Sequence, residues 1–288
     1  MKNNLNKILK GVSRSFYLSL ILLPKKIGWQ MGLAFLSCKA ADTIADTSLM
    51  KAEERLHWLD AYRELFAKPN ADSAEEIAEA IQHPAGGSPS EKKLIQNLPL
   101  LVESLQGLNP KDWLLIQDLV LELTQGMQMD LQLKTIETME QLDQYIYYVA
   151  GCVGRFWTKM IKAHFSFSTN FGKESEELGE KLGKGLQLVN ILRDMPQDLK
   201  KGRSYIPQGV PLSKIFALAK NYLKEYERYC TYFPWYACRL KATVRLPAKL
   251  GLKTLELLEV CKDWPNADVV VKVSRGQVYK ILVGSFFR

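Results

Sequence analysis

The chain has 288 residues, of which 47% are hydrophobic, and its formal net charge is +8 at pH 7. This length and apolar content allow one large domain with a substantial core, and the charge favours acidic partners such as phosphorylated substrates or anionic lipids. The basic residues are scattered, with no dense run beyond pairs, so we expect no nucleic-acid binding.

The cysteines and the N-terminus indicate where the protein works. The five cysteines form no CxxC pair, and an odd number in apolar surroundings is typical of reduced thiols. The first 16 residues lack the apolar core of a signal peptide, and no run approaches the roughly 18 apolar residues that span a bilayer. We therefore expect a cytoplasmic monomer, with any membrane contact peripheral and on the inner face.

Most of the chain shows helical periodicity. Apolar residues recur at i, i+3, i+4 and i+7, and β-alternation is scarce. Turn-rich segments such as "HPAGGSPS" (83–90) separate the periodic stretches, but no long polar linker and no fixed-period repeat divides the chain. We expect one all-α domain over residues 1–288, with helices at 27–48, 51–67, 73–82, 91–106, 110–134, 139–165, 174–200, 211–230, 234–261 and 268–286.

The first polar feature in chain order is "CKAADTIADT" (38–47). Asp42 and Asp46 are one helical turn apart among alanines and an isoleucine. Ionised carboxylates at this spacing repel each other, so an exposed pair or a helix cap explains a single DxxxD motif most simply.

Aromatic residues are followed by small ones in the segment "DQYIYYVAGCVGRFW" (143–157). Aromatic faces can stabilise a carbocation, but plain helix packing explains this periodicity more simply. The glycines of "GEKLGKGLQL" do not follow a strand, so close helix packing is a better explanation than nucleotide binding.

A second aspartate pair lies in "GLQLVNILRDMPQDLKKGRSY" (185–205). Gln187, Asn190, Asp194 and Asp198 share one helical stripe, while apolar residues fill the other positions. Polar groups on a buried helix are unfavourable unless something pairs with them. Two sets of oxygen ligands suit Mg²⁺. Zinc is not indicated, because no His or Cys lies at ligand spacing.

Basic and hydroxyl residues near these pairs suggest a diphosphate ligand. Arg193 precedes the second pair, Arg203 follows it, and "SRS" (13–15) lies near the start of the chain. Arginine holds phosphate oxygens bidentately, and hydroxyls add donors. A solvated surface explains Lys200 and Lys201 equally well.

Five motifs together resemble the squalene/phytoene synthase family of head-to-head prenyltransferases. In order they are "SRSFYLSLILLP", "AADTIADT", "GMQMDL", "YVAGCVG" and "LVNILRDMPQDLKKGRSYIP", and they cover about the first 210 residues. The resemblance implies the all-α isoprenoid synthase fold, a single helical domain around a central cavity that lies between the two aspartate helices.

The resemblance also assigns roles to matched positions. The implied metal ligands are Asp42, Asp46, Asn190, Asp194 and Asp198, the four aspartates being catalytic with Tyr145, which would assist proton removal. Implied substrate contacts at the diphosphate end are Ser13, Arg14, Ser15, Lys39, Gln187, Arg193, Arg203 and Tyr205. The implied prenyl channel is lined by Val149, Ala150, Val153, Gly154 and Leu186. Asp130 matches a further acidic position without an assigned role.

Two departures concern the geometry at the diphosphate. Lys39 stands where many family members carry Arg, which keeps the charge but loses the bidentate fork. The second pair encloses Met-Pro-Gln, whereas a Glu commonly precedes the last aspartate in the family. Pro196 removes one helical hydrogen bond and should kink the helix.

The implied reaction joins two farnesyl diphosphates with Mg²⁺ to presqualene diphosphate. Reduction by NADPH would then give squalene, whereas family members without the reductive step make dehydrosqualene, presqualene diphosphate or phytoene. "YVAGCVG" and "GRSYIP" favour squalene among bacterial-type members, and we expect no C-terminal anchor of the kind that eukaryotic squalene synthases carry. The rival hypotheses are a chain-elongating enzyme or terpene cyclase, whose DDxxD motif is absent, a non-catalytic helical homologue, and a generic basic helical scaffold.

Overall fold

The computed structural model describes residues 2–13, 20, 22–47, 50–81, 88–133, 135–265 and 269–286. The protein is about 80% helical, and within these ranges its only extended pairing is an isolated bridge between Thr135 and Ser204. The all-α prediction is confirmed. None of the helices in these ranges combines the length and apolar content needed to cross a bilayer. All five cysteines are free thiols.

The chain divides into two compact units, Met1–Gln132 and Leu133–Arg288. The single domain expected from the sequence stays a prediction. The described helices of the first unit are α1 (Lys2–Ser13), α2 (Lys25–Ala45), α3 (Ala52–Ala67), α4 (Ala71–Ala80), α5 (Pro89–Gln96), α6 (Leu98–Gln106) and α7 (Pro110–Gln132).

The second unit continues this helical pattern with two irregular turns. Its described elements are α8 (Met139–Ile146), a π-helical turn (Tyr147–Gly151), α9 (Cys152–His164), a 3₁₀ turn (Ser166–Asn170), α10 (Lys173–Lys200), α11 (Leu212–Lys224), α12 (Tyr226–Thr231), α13 (Cys238–Val260) and α14 (Arg275–Gly284).

Some predicted boundaries are wrong for identifiable reasons. The single helix predicted over 91–106 is interrupted at Asn97, because Pro99 has no N–H to donate and its ring clashes with the preceding turn. The stretch predicted at 211–230 is two helices that meet at Glu225. Helix α1 was not predicted, although its buried residues Leu5, Ile8 and Val12 follow a helical spacing.

Glycines bring α9 and α10 into backbone contact. A Cβ atom at Gly154 would overlap the carbonyl of Gly179, and one at Gly183 would overlap the carbonyl of Ala150. The two helices therefore pack at a distance that larger residues would prevent. This close approach confirms the packing interpretation of "GEKLGKGLQL".

Candidate active site

The first aspartate pair lies at the C-terminal end of α2. Asp42 is in the last turn, and Asp46 caps the helix, its backbone N–H donating to the Asp42 carbonyl at 2.9 Å. The helix macrodipole is negative at this end, so two carboxylates here are unfavourable unless a cation is close. Lys39 supplies one positive charge, with Nζ 2.5 Å from Asp42 Oδ2.

Lys39 also contacts a second carboxylate. Its Nζ lies 2.7 Å from Glu91 Oε1, and Glu91 in turn accepts the Ser88 backbone N–H in the capping box that begins α5. Burial lowers the pKa of Lys39, but the charges of Asp42 and Glu91 and the hydrogen bonds to them outweigh burial and raise it. Lys39 is therefore a firmly protonated link between α2 and α5.

The second aspartate pair lies in the last two turns of α10. Arg193 donates two hydrogen bonds to the neighbouring Asp194, from Nε to Oδ1 at 2.8 Å and from Nη2 to Oδ2 at 2.6 Å. The hydrogen bonds to Asp194 raise the pKa of Arg193 despite its partial burial. The Asp194 side chain is 42% exposed, as is that of Asp42, so solvent and ligands can reach both carboxylates.

Amide groups continue the polar stripe on α10. Asn190 Nδ2 donates to Gln187 Oε1 at 3.3 Å, so these two predicted residues are in contact. The helix continues through the buried Pro196 to Lys200, which keeps Asp194 and Asp198 one turn apart.

The end of α10 is closed by a Schellman motif. Gly202 adopts a φ of +71°, the Gly202 N–H donates to Leu199 O at 3.0 Å, and the Arg203 N–H donates to Asp198 O at 2.9 Å. Glycine suits this position because side chains are strained at positive φ. The motif places Arg203 directly beside the last aspartate of the pair.

Arg203 is hydrogen-bonded to one of two stacked tyrosine side chains. The rings of Tyr145 and Tyr205 stack with centroids 5.1 Å apart, and Arg203 Nη1 donates to Tyr205 Oη at 3.4 Å. The strand-like bridge holds the loop in place, since the Ile136 N–H donates to Ser204 O at 2.8 Å. Two predicted diphosphate-contacting residues and the predicted catalytic tyrosine are thus neighbours.

The residues predicted to line the prenyl channel lie on or near the π-helical turn. Val149 and Ala150 are in the turn itself, Val153 is exposed on α9, and Leu186 is half-buried on α10. Gly154 contacts Gly179, so the structure shows helix packing there. The lining roles of these five residues stay predictions.

Three predicted residues fall near the end of α1. The Ser13 side chain is buried, and its Oγ has no hydrogen-bond partner within the described part of the chain. Arg14 and Ser15 lie outside the described residues. Asp130 lies in the last turn of α7 and is half-buried.

The sequence interpretation missed an ionic network around a buried lysine in the second unit. Lys184 is only 7% exposed, and its Nζ lies 2.9 Å from both Glu180 Oε1 and Asp143 Oδ2. Gly151 of the π-helical turn packs against this network, because a Cβ there would lie 3.2 Å from Lys184 Cγ. Adjacent to it is a cleft of about 720 Å³, which none of the predicted channel residues lines.

The donor atoms of both aspartate pairs fit a magnesium ion. Carboxylate oxygens are its preferred protein ligands, and Mg²⁺ usually takes only one or two of them, keeping water and substrate phosphate for the rest. Among the described residues no group of three or more His, Cys, Asp or Glu side chains is close enough to hold a metal. Each pair therefore fits an ion that arrives with phosphate and water ligands.

Comparison with known proteins identifies the class. Residues 9–211 match the family model described as squalene/phytoene synthase, so the chain belongs to the squalene/phytoene synthase family. Members are prenyltransferase-type enzymes that condense prenyl diphosphates and use a divalent metal for these substrates. The isoprenoid synthase fold is also confirmed.

Individual relatives have different products. The squalene synthase of Dictyostelium discoideum is 27% identical over 71% of this chain, and the match covers 46% of that relative. The presqualene diphosphate synthase of Zymomonas mobilis is 32% identical over 78% of this chain and 68% of its own length. The chain thus spans about half the length of the first relative.

A solved structure extends the similarity to nearly the whole chain. A ligand complex of TcSQS superimposes with a TM-score of 0.79 at 21% identity, covering 99% of this chain and 87% of the other. At this identity the likeness shows the fold alone.

Proposed function

We propose that this chain is a squalene synthase that joins two farnesyl diphosphates head to head. One molecule loses its diphosphate from C1, and the C2–C3 double bond of the second molecule attacks the resulting allylic cation. Loss of one proton closes the cyclopropane of presqualene diphosphate. A second ionisation, rearrangement and hydride addition then give squalene.

One observation carries this proposal: the chain of contacts from Asp198 through Arg203 and Tyr205 to Tyr145. The first contact joins the backbones of Asp198 and Arg203, and the later ones join the Arg203 guanidinium and the two tyrosine side chains. Residues linked in this way supply a carboxylate suited to metal, a guanidinium suited to phosphate and a phenol suited to proton transfer. Head-to-head condensation needs all three functions at one place. Membership of the family supports the same reading.

The remaining residues take roles that follow from their chemistry. Asp42, Asp46, Asp194, Asp198 and Asn190 would hold Mg²⁺ through hard oxygen atoms. Arg193 and Arg203 would bind diphosphate oxygens, and Arg193 would release Asp194 as it does so. The Tyr145 hydroxyl would assist removal of the proton that closes the cyclopropane.

When bound, Mg²⁺ would neutralise the charge of the departing diphosphate, and NADPH would supply hydride for the final step. The cytoplasmic, monomeric state and farnesyl diphosphate as the substrate stay predictions.

A second candidate is an enzyme that stops at presqualene diphosphate. The observation that favours it is the 32% identity to the presqualene diphosphate synthase of Zymomonas mobilis over 78% of this chain. Such an enzyme would use the same residues for the first condensation and would need no reductant.

The test is turnover of farnesyl diphosphate by the purified chain with Mg²⁺, with and without NADPH. Products are identified by mass spectrometry after phosphatase treatment. Squalene formed only with NADPH supports the first candidate, and presqualene alcohol regardless of NADPH supports the second. Dehydrosqualene, or no C30 product from farnesyl diphosphate, would contradict both.

A further inference from the structure

The loop Tyr232–Ala237 exposes two large aromatic side chains. Trp235 is 84% exposed and Tyr236 is 61% exposed, and their rings contact each other with centroids 5.9 Å apart. Single apolar residues on a surface need no explanation, but an adjacent Trp and Tyr form a patch. Both rings combine an apolar body with one polar group, the composition typical of side chains at a membrane–water interface.

The base of this loop is firmly anchored. Phe233 is buried, and its ring contacts those of Phe167 and Phe171 at 6.2 and 5.4 Å. The Ala237 N–H closes the turn by donating to Pro234 O at 3.0 Å. Trp235 and Tyr236 are therefore exposed on an ordered loop whose base is held by packing and a hydrogen bond.

Two sequence stretches that meet at the patch are rich in basic residues. No acidic residue occurs between Asp143 and Glu174 or between Glu227 and Glu256. The basic residues of these two stretches are Arg155, Lys159, Lys162, Lys173, Arg228, Arg239, Lys241, Arg245, Lys249 and Lys253. Phe167 contacts Tyr236, so the 3₁₀ turn from the first stretch borders the loop from the second.

Two acidic residues that follow the first stretch are paired with cations. Glu174 accepts a hydrogen bond from Tyr232 Oη at 2.6 Å and pairs with Arg228. Glu177 lies 3.9 Å from Lys173. Arg228 and Lys173 are used in these pairs, and the exposed Glu227 accepts a hydrogen bond from Tyr226 Oη at 3.2 Å. The excess positive charge therefore comes from the other basic residues of the two stretches, such as Lys162 and Arg239.

We propose that Trp235 and Tyr236 form an interfacial anchor that docks the Leu133–Arg288 unit onto an anionic bilayer surface. The aromatic rings enter the headgroup region, and nearby basic side chains such as Arg239 and Lys162 attract anionic lipid. Charge complementarity selects this occupant, because a second copy of the chain would bring the same positive charge to the contact. The proposal does not depend on the reaction that the chain catalyses.

Vesicle co-sedimentation tests the anchor without any substrate. The full chain is mixed with phosphatidylcholine vesicles or with vesicles that contain phosphatidylglycerol, at low and high salt. We expect binding to the anionic vesicles that weakens with salt. The double variant W235A/Y236A should bind them roughly tenfold more weakly, because the area that two aromatic rings bury is lost.

A matched control removes an exposed apolar side chain elsewhere. Leu114 is 54% exposed in the first unit, and L114A should bind vesicles like the parent chain. Circular dichroism checks that each variant is folded. Equal binding by W235A/Y236A and the parent, or no vesicle binding with a self-association that W235A/Y236A abolishes, would overturn the proposal.

Discussion

The C-terminal ends of α2 and α10 both carry excess negative charge, and a different kind of cation balances it at each end. Each carries two aspartates where the helix macrodipole is already negative. At α2 the balancing cation is Lys39, which is shared with Glu91 on another helix. At α10 it is Arg193, which donates two hydrogen bonds to Asp194 on the same helix.

The difference lies in what each cation can do. Lys39 is 21% exposed and tied to two carboxylates, so moving it would leave Glu91 without its partner. Arg193 is 41% exposed, and its fork geometry matches phosphate as well as carboxylate. We therefore expect the α2 cation to stay in place and stabilise the fold, and the α10 cation to exchange its aspartate for a ligand.

The largest expected effect comes from the aspartates themselves. D42N and D194N each remove one carboxylate of the proposed metal site, and we expect each to lower kcat by roughly 10²–10³-fold. Steady-state turnover measures the loss, with circular dichroism as the check on folding. Full activity in either variant would remove that helix end from the proposed metal site.

Removing each cation in turn should show that Lys39 mainly stabilises the fold and that Arg193 mainly serves ligand binding. K39M leaves two partly buried carboxylates uncompensated and should lower the free energy of unfolding by about 1–3 kcal/mol. R193M should change stability by less than about 1 kcal/mol, because the pair is half-exposed, yet it should raise KM. Urea unfolding and steady-state kinetics measure both, with K39R as a control that keeps the charge. The comparison fails if R193M proves the more destabilising change.

The Schellman motif at α10 gives a third contrast, since α2 ends at Asp46 without a glycine. G202A forces a side chain into positive φ and should cost about 1–2 kcal/mol. Because the motif places Arg203 beside Asp198, kcat/KM should fall as well. G209A, at another positive-φ glycine, is the control: it should lower stability similarly and spare kcat/KM. Equal kinetic losses in both variants would show that the motif has no special role.

The smallest effect concerns pH at the α2 end. Burial raises the pKa of Glu91, but hydrogen bonds to Lys39 and the Ser88 backbone N–H outweigh it, and the net pKa is lowered. Its stabilisation is therefore present above the ordinary glutamate pKa of about 4.3 and is lost as pH falls through the lower folded value. E91Q should be less stable than the parent at pH 7, and the gap in Tm should close below about pH 4. A constant gap from pH 7 to 3 would contradict this assignment.

Sequence reasoning predicted the helical class and the family, because both depend on local periodicity and short motifs. Residues 13–15 and the two aspartate pairs came from the same motifs. The link from Lys39 to Glu91 could not be predicted, since only tertiary packing joins α2 to α5, although the capping box "SPSE" was readable. Tyr145 and Tyr205 were predicted one by one, whereas their stacking depends on how the loop after α10 folds back.

The glycine contact between α9 and α10 has a consequence for sequence change. A methyl group at either Gly154 or Gly179 would force the same two backbones apart. The first substitution would then bear most of the energetic penalty, and the second would find the space already open. G154A and G179A should therefore be strongly non-additive, with a double variant much less damaged than the sum of the two. Once one of the two glycines has been replaced, the other should therefore accept an alanine at little further cost.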